Sequence, residues 1–470
     1  MAIVRVPVPP TRVRLPRPRL RPVAGAHFCD TDAMTDNGRM SAFADLSADQ
    51  RADLAEQQLS LYEELKARGL KLDITRGKPS SSQLDLSNAL LTTPISPKSA
   101  DGTDVRNYGG LNGLIELRQI FAELLNTTPD LLLAGDNSSL SLMHDTIAFA
   151  MLHGLAGGEP WARQKVKFIC PVPGYDRHFA ICQDLGIEMI PVNLGDHGPD
   201  LDEVRELAAD PSVKGMWAVP MYANPTGVTF DEATTRALLS MPAADDFRIM
   251  WDNAYALHHL TADEPVPLDV ISLAAEEGHP DRVFTYASTS KVTFAGDGVA
   301  FMGGSRANLD WYLSHYGKRA IGPDKVNQLR HATWFRNADG VRALMRKHRA
   351  LIEPKFALVL ETLQRRLGKY GVATWTKPAG GYFVTLDVVP GTATRVVALA
   401  KEAGIALTPA GASHPLGHDP YDRTIRIAPT FPSLGELTEA MDGLATCVLV
   451  AALEQDPTHQ AATHEAAPSQ

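Results

Sequence analysis

The sequence predicts an α/β fold in which a mostly parallel sheet is covered by helices on both faces, with a smaller α+β domain attached. Three observations carry this expectation. Largely apolar runs of buried-strand length recur at residues 166–172, 188–194, 216–221, 247–251 and 283–287, which is how strands covered on both faces read. Helical or loop segments separate them, the alternation that builds a parallel sheet. At 470 residues the chain is too long for one small core, so two domains are expected.

Taken in order, residues 1–40 carry Arg5, Arg12, Arg14, Arg17, Arg19 and Arg21 interleaved with Pro7, Pro9, Pro10, Pro16, Pro18 and Pro22, and no acid precedes Asp30. Proline removes backbone donors, the apolar residues have no helical period, and so little apolar surface does not offset the entropy of ordering. The segment is expected to be a disordered extension, or to lie upstream of a true start at Met34 or Met40. It lacks the continuous apolar core of a secretory signal. Residues 41–90 read as an N-terminal arm and part of the small domain, 91–325 as the large domain and 326–455 as the rest of the small domain. Residues 456–470, rich in Ala, Thr, His and Gln, read as a disordered tail. Residues 298–303 should add a strand to the large domain. In the small domain a long helix over 338–367 leads to short strands at 382–388, 405–408 and 424–427.

Chemistry-bearing residues fall at the ends of these elements. Gly135-Asp136-Asn137-Ser138-Ser139 precedes a helical pattern of Leu140, Met143, Ile147 and Ala150; backbone amides, the helix dipole and hydroxyls there suit a phosphate. Tyr175 follows a strand and offers an aromatic plate. Asn224 opens Asn224-Pro225-Thr226-Gly227. Asp252 ends the run 247–251 and would deliver a carboxylate into a crevice, with Tyr255 three residues on. Ser288 precedes Lys291 by three. Singly, each has an ordinary reading as a turn, a helix cap or a core aromatic. Together and in this order they fit one cofactor, pyridoxal 5'-phosphate. The Lys291 amine, partly desolvated, would form a Schiff base with its aldehyde. Asp252 would keep the ring nitrogen protonated, so that the ring acts as an electron sink. Tyr255 and Asn224 would donate to the ring hydroxylate, Tyr175 would cover the ring face, and Asn137, Ser138, Ser139 and Ser288 would take the phosphate.

At these residues the chain resembles the fold-type I pyridoxal phosphate enzymes, and within them the class I/II aminotransferases. Asn224-Pro225-Thr226-Gly227, Asp252 and Tyr255 at 28 and 31 residues further, and Ser288-x-x-Lys291 follow that family's order and spacing. Tyr108, Gly113, Leu117 and Arg118 match a Tyr-x4-Gly-x3-Leu-Arg motif, and Arg426-Ile427-Ala428-Pro429 resembles a substrate-binding strand. The resemblance covers roughly residues 45–455. It implies that Tyr108 reaches the phosphate of a neighbouring subunit, hence a homodimer with shared active sites, and that Arg426, with Asn224 and Gly77, meets the substrate. Residues 75–80 and 290–296 look like a bacterial aspartate aminotransferase subgroup, which implies amino transfer between aspartate and 2-oxoglutarate. One position departs: the family's phosphate-pairing arginine, eight residues after the lysine, is here Val299. A dicarboxylate needs a second cation. Arg76, Lys78, Arg319 and Lys325 are candidates, all in loop-like stretches, and Lys325 is favoured because related dimers send a loop from residues 322–325 toward the neighbouring site.

Other classes fit less well. Ser288-x-x-Lys291 and Tyr222-Ala223-Asn224 mimic two serine-hydrolase elements, but their order is reversed and no Lys-Thr-Gly follows. A cofactor-sensing regulator needs a winged helix that residues 1–40 do not supply. Lyases and decarboxylases of the same fold share the ring contacts, so the reaction type comes from the resemblance. The net charge is −10, and setting aside the six arginines of residues 1–29 leaves −16 on the remainder, which argues against a nucleic-acid surface. Cys29, Cys170, Cys182 and Cys447 have no metal-ligand or disulfide spacing, no metal is expected, and a reducing, cytoplasmic setting follows. No apolar run reaches membrane-spanning length.

Overall fold

In the central strands successive side chains enter two different buried layers, as the pleat requires. The computed structural model describes residues 43–155 and 157–455, so the expectations for residues 1–40 and 456–470 lie outside the described residues. The strands are β1 (Leu72–Asp73), β2 (Leu132–Ala134), β3 (Lys167–Val172), β4 (Glu188–Gly195), β5 (Gly198–Pro199), β6 (Val213–Ala218), β7 (Arg248–Asp252), β8 (Val283–Ser288), β9 (Ala300–Gly304), β10 (Ala373–Trp375), β11 (Val384–Val388), β12 (Ile405–Ala406) and β13 (Thr424–Ile427).

The main sheet has the order β2-β9-β8-β7-β6-β3-β4-β5. Its middle, from β4 through β3, β6 and β7 to β8, is parallel, while β9 and the edge strands β2 and β5 pair antiparallel. One layer holds Phe168, Cys170, Trp217, Met250, Phe284 and Tyr286 with Met143 and Ile147 of the helix Ser139–His153. The other holds Ile169, Met216, Ala218, Ile249 and Trp251 with Leu238 and Ala274 of the helices Glu232–Ser240 and Val270–Glu276. This two-sided cover makes the runs apolar throughout rather than alternating. A further core joins the helices Ala338–Leu367 and Leu434–Gln455 to the sheet β10-β11-β13 through Ile352, Phe356, Leu386, Ile425, Leu444 and Val448, and it extends to Tyr222 and Tyr255.

Element positions differ from expectation where a polar residue is buried or a proline intervenes. The strand read at 216–221 runs instead over Val213–Ala218. Lys214 lies in its buried interior because its ammonium meets Asp246 at 2.8 Å, and Pro220, lacking an N–H, keeps the ladder from continuing. The strand read at 382–388 starts at Val384, after a Gly380-Gly381 turn whose missing Cβ atoms leave room for the Tyr222 ring. Arg319 and Lys325 are not in loops: they end the helix Arg306–Arg319 and begin the helix Lys325–Phe335. Among the described residues no helix is long and apolar enough to cross a membrane, and no group of three or more His, Cys, Asp or Glu is placed to hold a metal.

Candidate active site

The parallel strands deliver four landmarks to one edge of the sheet. The turn after β3 carries Tyr175, the loop after β6 carries Asn224, β7 ends at Asp252, and β8 ends at Ser288, three residues before Lys291. Because β3 is flanked by β4 on one side and β6 on the other, the connections diverge there and open a crevice at the carboxyl ends.

Lys291 sits in that crevice with its ammonium 4.8 Å from the centre of the Tyr255 ring. Desolvation pushes its pKa below the usual lysine value, while the Asp252 carboxylate pulls the other way. Tyr255 is buried and its phenol pKa raised, by burial first and then by Tyr175 and Asp252. The amine thus loses its proton more readily than an exposed lysine, which a nucleophile or a proton carrier needs.

Two neutral imidazoles hold the lysine backbone. His258 Nε2 faces the Lys291 carbonyl at 3.3 Å and His348 Nε2 faces the Val292 carbonyl at 3.0 Å, so each Nε2–H donates. Gln83 then donates to His348 Nδ1 at 3.2 Å and to the Tyr382 hydroxyl at 3.0 Å, and its carbonyl accepts from the Ser80 amide. Burial drives His258 down to about 3 and His348 down to about 4, so both stay uncharged at neutral pH.

Asp252 is only 2% exposed. One oxygen accepts from the Ala254 amide at 3.0 Å and the other lies 3.1 Å from His178 Nε2. His178 stacks on Trp217 with centroids 4.2 Å apart and meets the Tyr175 ring edge-on at 4.9 Å. Sequence reasoning missed His178. The available signal was its spacing, one turn after Tyr175 on the helix Asp176–Asp184.

The helix Ser139–His153 points its N-terminus at the lysine loop. Ser138 caps it, accepting from the Ser141 amide at 3.3 Å. A Cβ at Gly298 would run into the Asn137 carbonyl and come within 3.3 Å of Ser290 Oγ, and Ser290 takes a hydrogen bond from Ser288 at 3.1 Å. Gly298 thus packs against the Asn137 carbonyl and Ser290, which in turn accepts from Ser288. Val299 has no room for an arginine's role: it is buried among Ala287, Val292, Phe301 and Leu117. The cation beside this helix start is Arg319, which pairs with Asp136 at 2.5 Å and Asp145 at 2.9 Å.

Arg426, on β13, is buried above the Phe383 ring, 5.0 Å from its centre. Its Nη1 donates to Asn224 Oδ1 at 3.4 Å, which turns the Asn224 amide nitrogen away, free to donate elsewhere. Its Nε is buried without a partner. The Tyr175 phenol pKa is raised, by burial first and then by Asp252 and Asp176, while Arg426 pulls it down. Gly77 lies against Phe383, whose ring occupies the space a Cβ would need. The expectation for Lys325 is corrected here: its ammonium donates to the carbonyls of Asn107 at 2.8 Å and Gly109 at 2.6 Å, which makes it a prop for the Tyr108 loop rather than a free cation. Tyr108 itself is 81% exposed. Lys78 lies over the Phe431 ring at 3.8 Å, and Arg76 is exposed, with no ion pair or hydrogen bond of its side chain among the described residues.

This fold and this site have close relatives. The Corynebacterium glutamicum aspartate aminotransferase is 55% identical over 398 residues, 84% of this chain and 92% of that one. A Mycolicibacterium smegmatis chain is 57% identical over 421 residues, 88% of this chain and 98% of that one. The crystal structure of an aspartate transaminase from Corynebacterium glutamicum superposes with a TM-score of 0.87 at 53% identity, covering 88% of this chain and 99% of that one. The family model described as aspartate amino-transferase matches residues 46–460. With the family model covering residues 46–460 and relatives more than half identical over most of both chains, the protein is an aminotransferase and belongs to the aspartate amino-transferase family.

Proposed function

We propose that the crevice holds pyridoxal 5'-phosphate on Lys291 and that the enzyme moves an amino group between aspartate and 2-oxoglutarate, as a cytoplasmic homodimer. The observation that carries this is the approach of Lys291, its pKa lowered by desolvation, to the buried carboxylate of Asp252 at the carboxyl end of the parallel sheet. The donor set suits the group: the buried Arg426 Nε has no hydrogen-bond partner among the described residues, Asn224 turns its oxygen to Arg426 and keeps its amide nitrogen to donate, and the hydroxyls of Ser138 and Ser288 stand at the helix start and at the end of β8.

The bound cofactor supplies an aldehyde and an electron-withdrawing ring that stabilises negative charge at the substrate α-carbon. Every other task falls to the chain. Lys291 would hold the cofactor through its amine, and that amine, its pKa lowered by desolvation, would take and return a proton at the substrate α-carbon. Asp252 holds a proton on the ring nitrogen, and His178, fixed by Trp217, keeps that carboxylate in line. Tyr255 and Asn224 donate to the ring oxygen, and Tyr175 covers the ring face. Asn137, Ser138, Ser139 and Ser288 take the phosphate, with Tyr108 reaching in from the second subunit. Arg426 holds the α-carboxylate beside Gly77. For the distal carboxylate, Arg76 is the candidate whose side chain has no competing partner among the described residues, and Lys325 acts through the Tyr108 loop. A panel of amino donors with 2-oxoglutarate, followed by keto-acid detection, tests the reading. Aspartate should give the highest kcat/KM, and a donor without a second carboxylate outrunning it would overturn the assignment.

A further inference from the structure

The cation assigned to the substrate already holds a carboxylate of the chain itself. Asp176 Oδ1 lies 3.1 Å from Arg426 Nη1, the closest polar contact of that guanidinium. The other contacts are longer: Asn224 Oδ1 at 3.4 Å from Nη1 and Thr408 Oγ1 at 3.4 Å from Nη2. Both N–H groups of Nη1 are therefore directed at oxygens, whereas bidentate binding of a carboxylate asks for two adjacent free N–H groups. Asp176 opens the helix Asp176–Asp184 directly after Tyr175, and its side chain is 37% exposed. Among the described residues Arg426 is its only hydrogen-bond or ion-pair partner, so nothing else fixes it in place.

We propose that Asp176 is an internal competitor for the carboxylate site of Arg426 and so sets the affinity for α-carboxylates. This rests on the reading of Arg426 given above. Two carboxylates at one guanidinium edge repel each other, since proximity of like charge disfavours both ionised forms. An arriving carboxylate takes Arg426 by turning Asp176 out toward solvent, and the lost ion pair subtracts from its binding. The helix start offers Asp176 a favourable alternative, because a carboxylate there interacts with the free amides of the first turn. Every substrate, amino acid or keto acid, presents the same α-carboxylate and meets the same competition. The result is weaker binding of substrate and product alike, which keeps KM up without touching the chemical step.

The test is calorimetric titration of the holoenzyme with succinate, which carries carboxylates but no amine to transfer. Asp176→Asn should bind succinate about three- to tenfold more tightly, the range of one partly exposed ion pair. Asp176→Glu, which keeps the charge, should stay near wild type. In turnover, Asp176→Asn should lower KM for amino acid and keto acid together without raising kcat. If the Asn variant binds succinate as well as wild type or more weakly, Asp176 supports Arg426 rather than competing with the ligand, and the proposal fails. Arg426→Lys separates the underlying reading: unchanged succinate binding in that variant would remove Arg426 from the carboxylate site, whereas weakened binding there, with no gain in Asp176→Asn, would overturn the competitor role alone.

Discussion

Lys291 is a cation in surroundings that disfavour cations, and this has a measurable cost to the fold. Its folded pKa lies below the ordinary 10.5. Between that lowered value and 10.5 the unfolded chain binds more protons than the folded one, so stability rises with pH across the window. In protein stripped of cofactor, Lys291→Met should raise the urea midpoint near neutral pH, and the gain should shrink as pH approaches the ordinary lysine value; a lower midpoint at neutral pH would contradict the desolvation. Asp252 makes the complementary case. In the proposed role its charge holds the ring proton, so Asp252→Ala should lose several orders of magnitude in kcat, and a loss below about tenfold, roughly 1.4 kcal/mol, would show that it acts elsewhere. At this scale the sequence was informative because Lys291, Asp252, Asn224, Tyr175 and Tyr255 each match a distinct chemical demand at a distinct spacing. His178, Asp176, His258 and His348 were silent: their importance comes from partners brought near by folding, and nothing local marks them. Lys325 misled because a loop position suggested a free ammonium, while two carbonyls in the Tyr108 loop claim it.

Among the elements, the loop carrying Lys291 is held from outside by the helix Ala338–Leu367. His348 on that helix donates to the Val292 carbonyl, and Gln83 locks its tautomer. His348 titrates at about 4 and His258 at about 3 when folded, against an ordinary 6.5. As pH falls below 6.5 the unfolded chain takes up protons that the folded chain refuses, so their stabilising contribution is lost toward those lower values. His348→Gln should therefore be less stable than wild type at pH near 7, with the deficit shrinking on acidification to about pH 5, read from urea melts at both; a deficit independent of pH would mean that His348 is not held neutral. The helix itself was legible from end to end, since a capping Asn337 and a long apolar period outweigh the interior Pro354. The start of the strand β6 was not, because Lys214, its second residue, reads as exposed until Asp246 is placed beside it. The short strands β2, β5 and β10 are only two or three residues long and form where neighbours supply the ladder, a tertiary effect that local pattern does not encode.

For the whole molecule, the parallel core, the two-sided helical cover and the crevice at the strand ends followed from apolar runs and their alternation with helices, which are properties of chain length and pattern. The antiparallel direction of β9 did not, since direction depends on the connection after Lys291. The exposed Tyr108, propped by Lys325, bears on assembly. If it completes a neighbour's site, Tyr108→Ala and Lys291→Ala proteins should each be inactive or nearly so, while mixing and re-equilibrating them should restore about a quarter of wild-type activity, because a mixed dimer contains one intact site; no recovery despite confirmed exchange would place Tyr108 outside the site. The most direct measurement concerns the lysine itself. The holoenzyme is reduced with borohydride, digested, and its peptides mapped by mass spectrometry for the lysine that bears the cofactor. The adduct should lie on Lys291 alone, and an adduct on any other lysine, with Lys291 unmodified, would contradict the account.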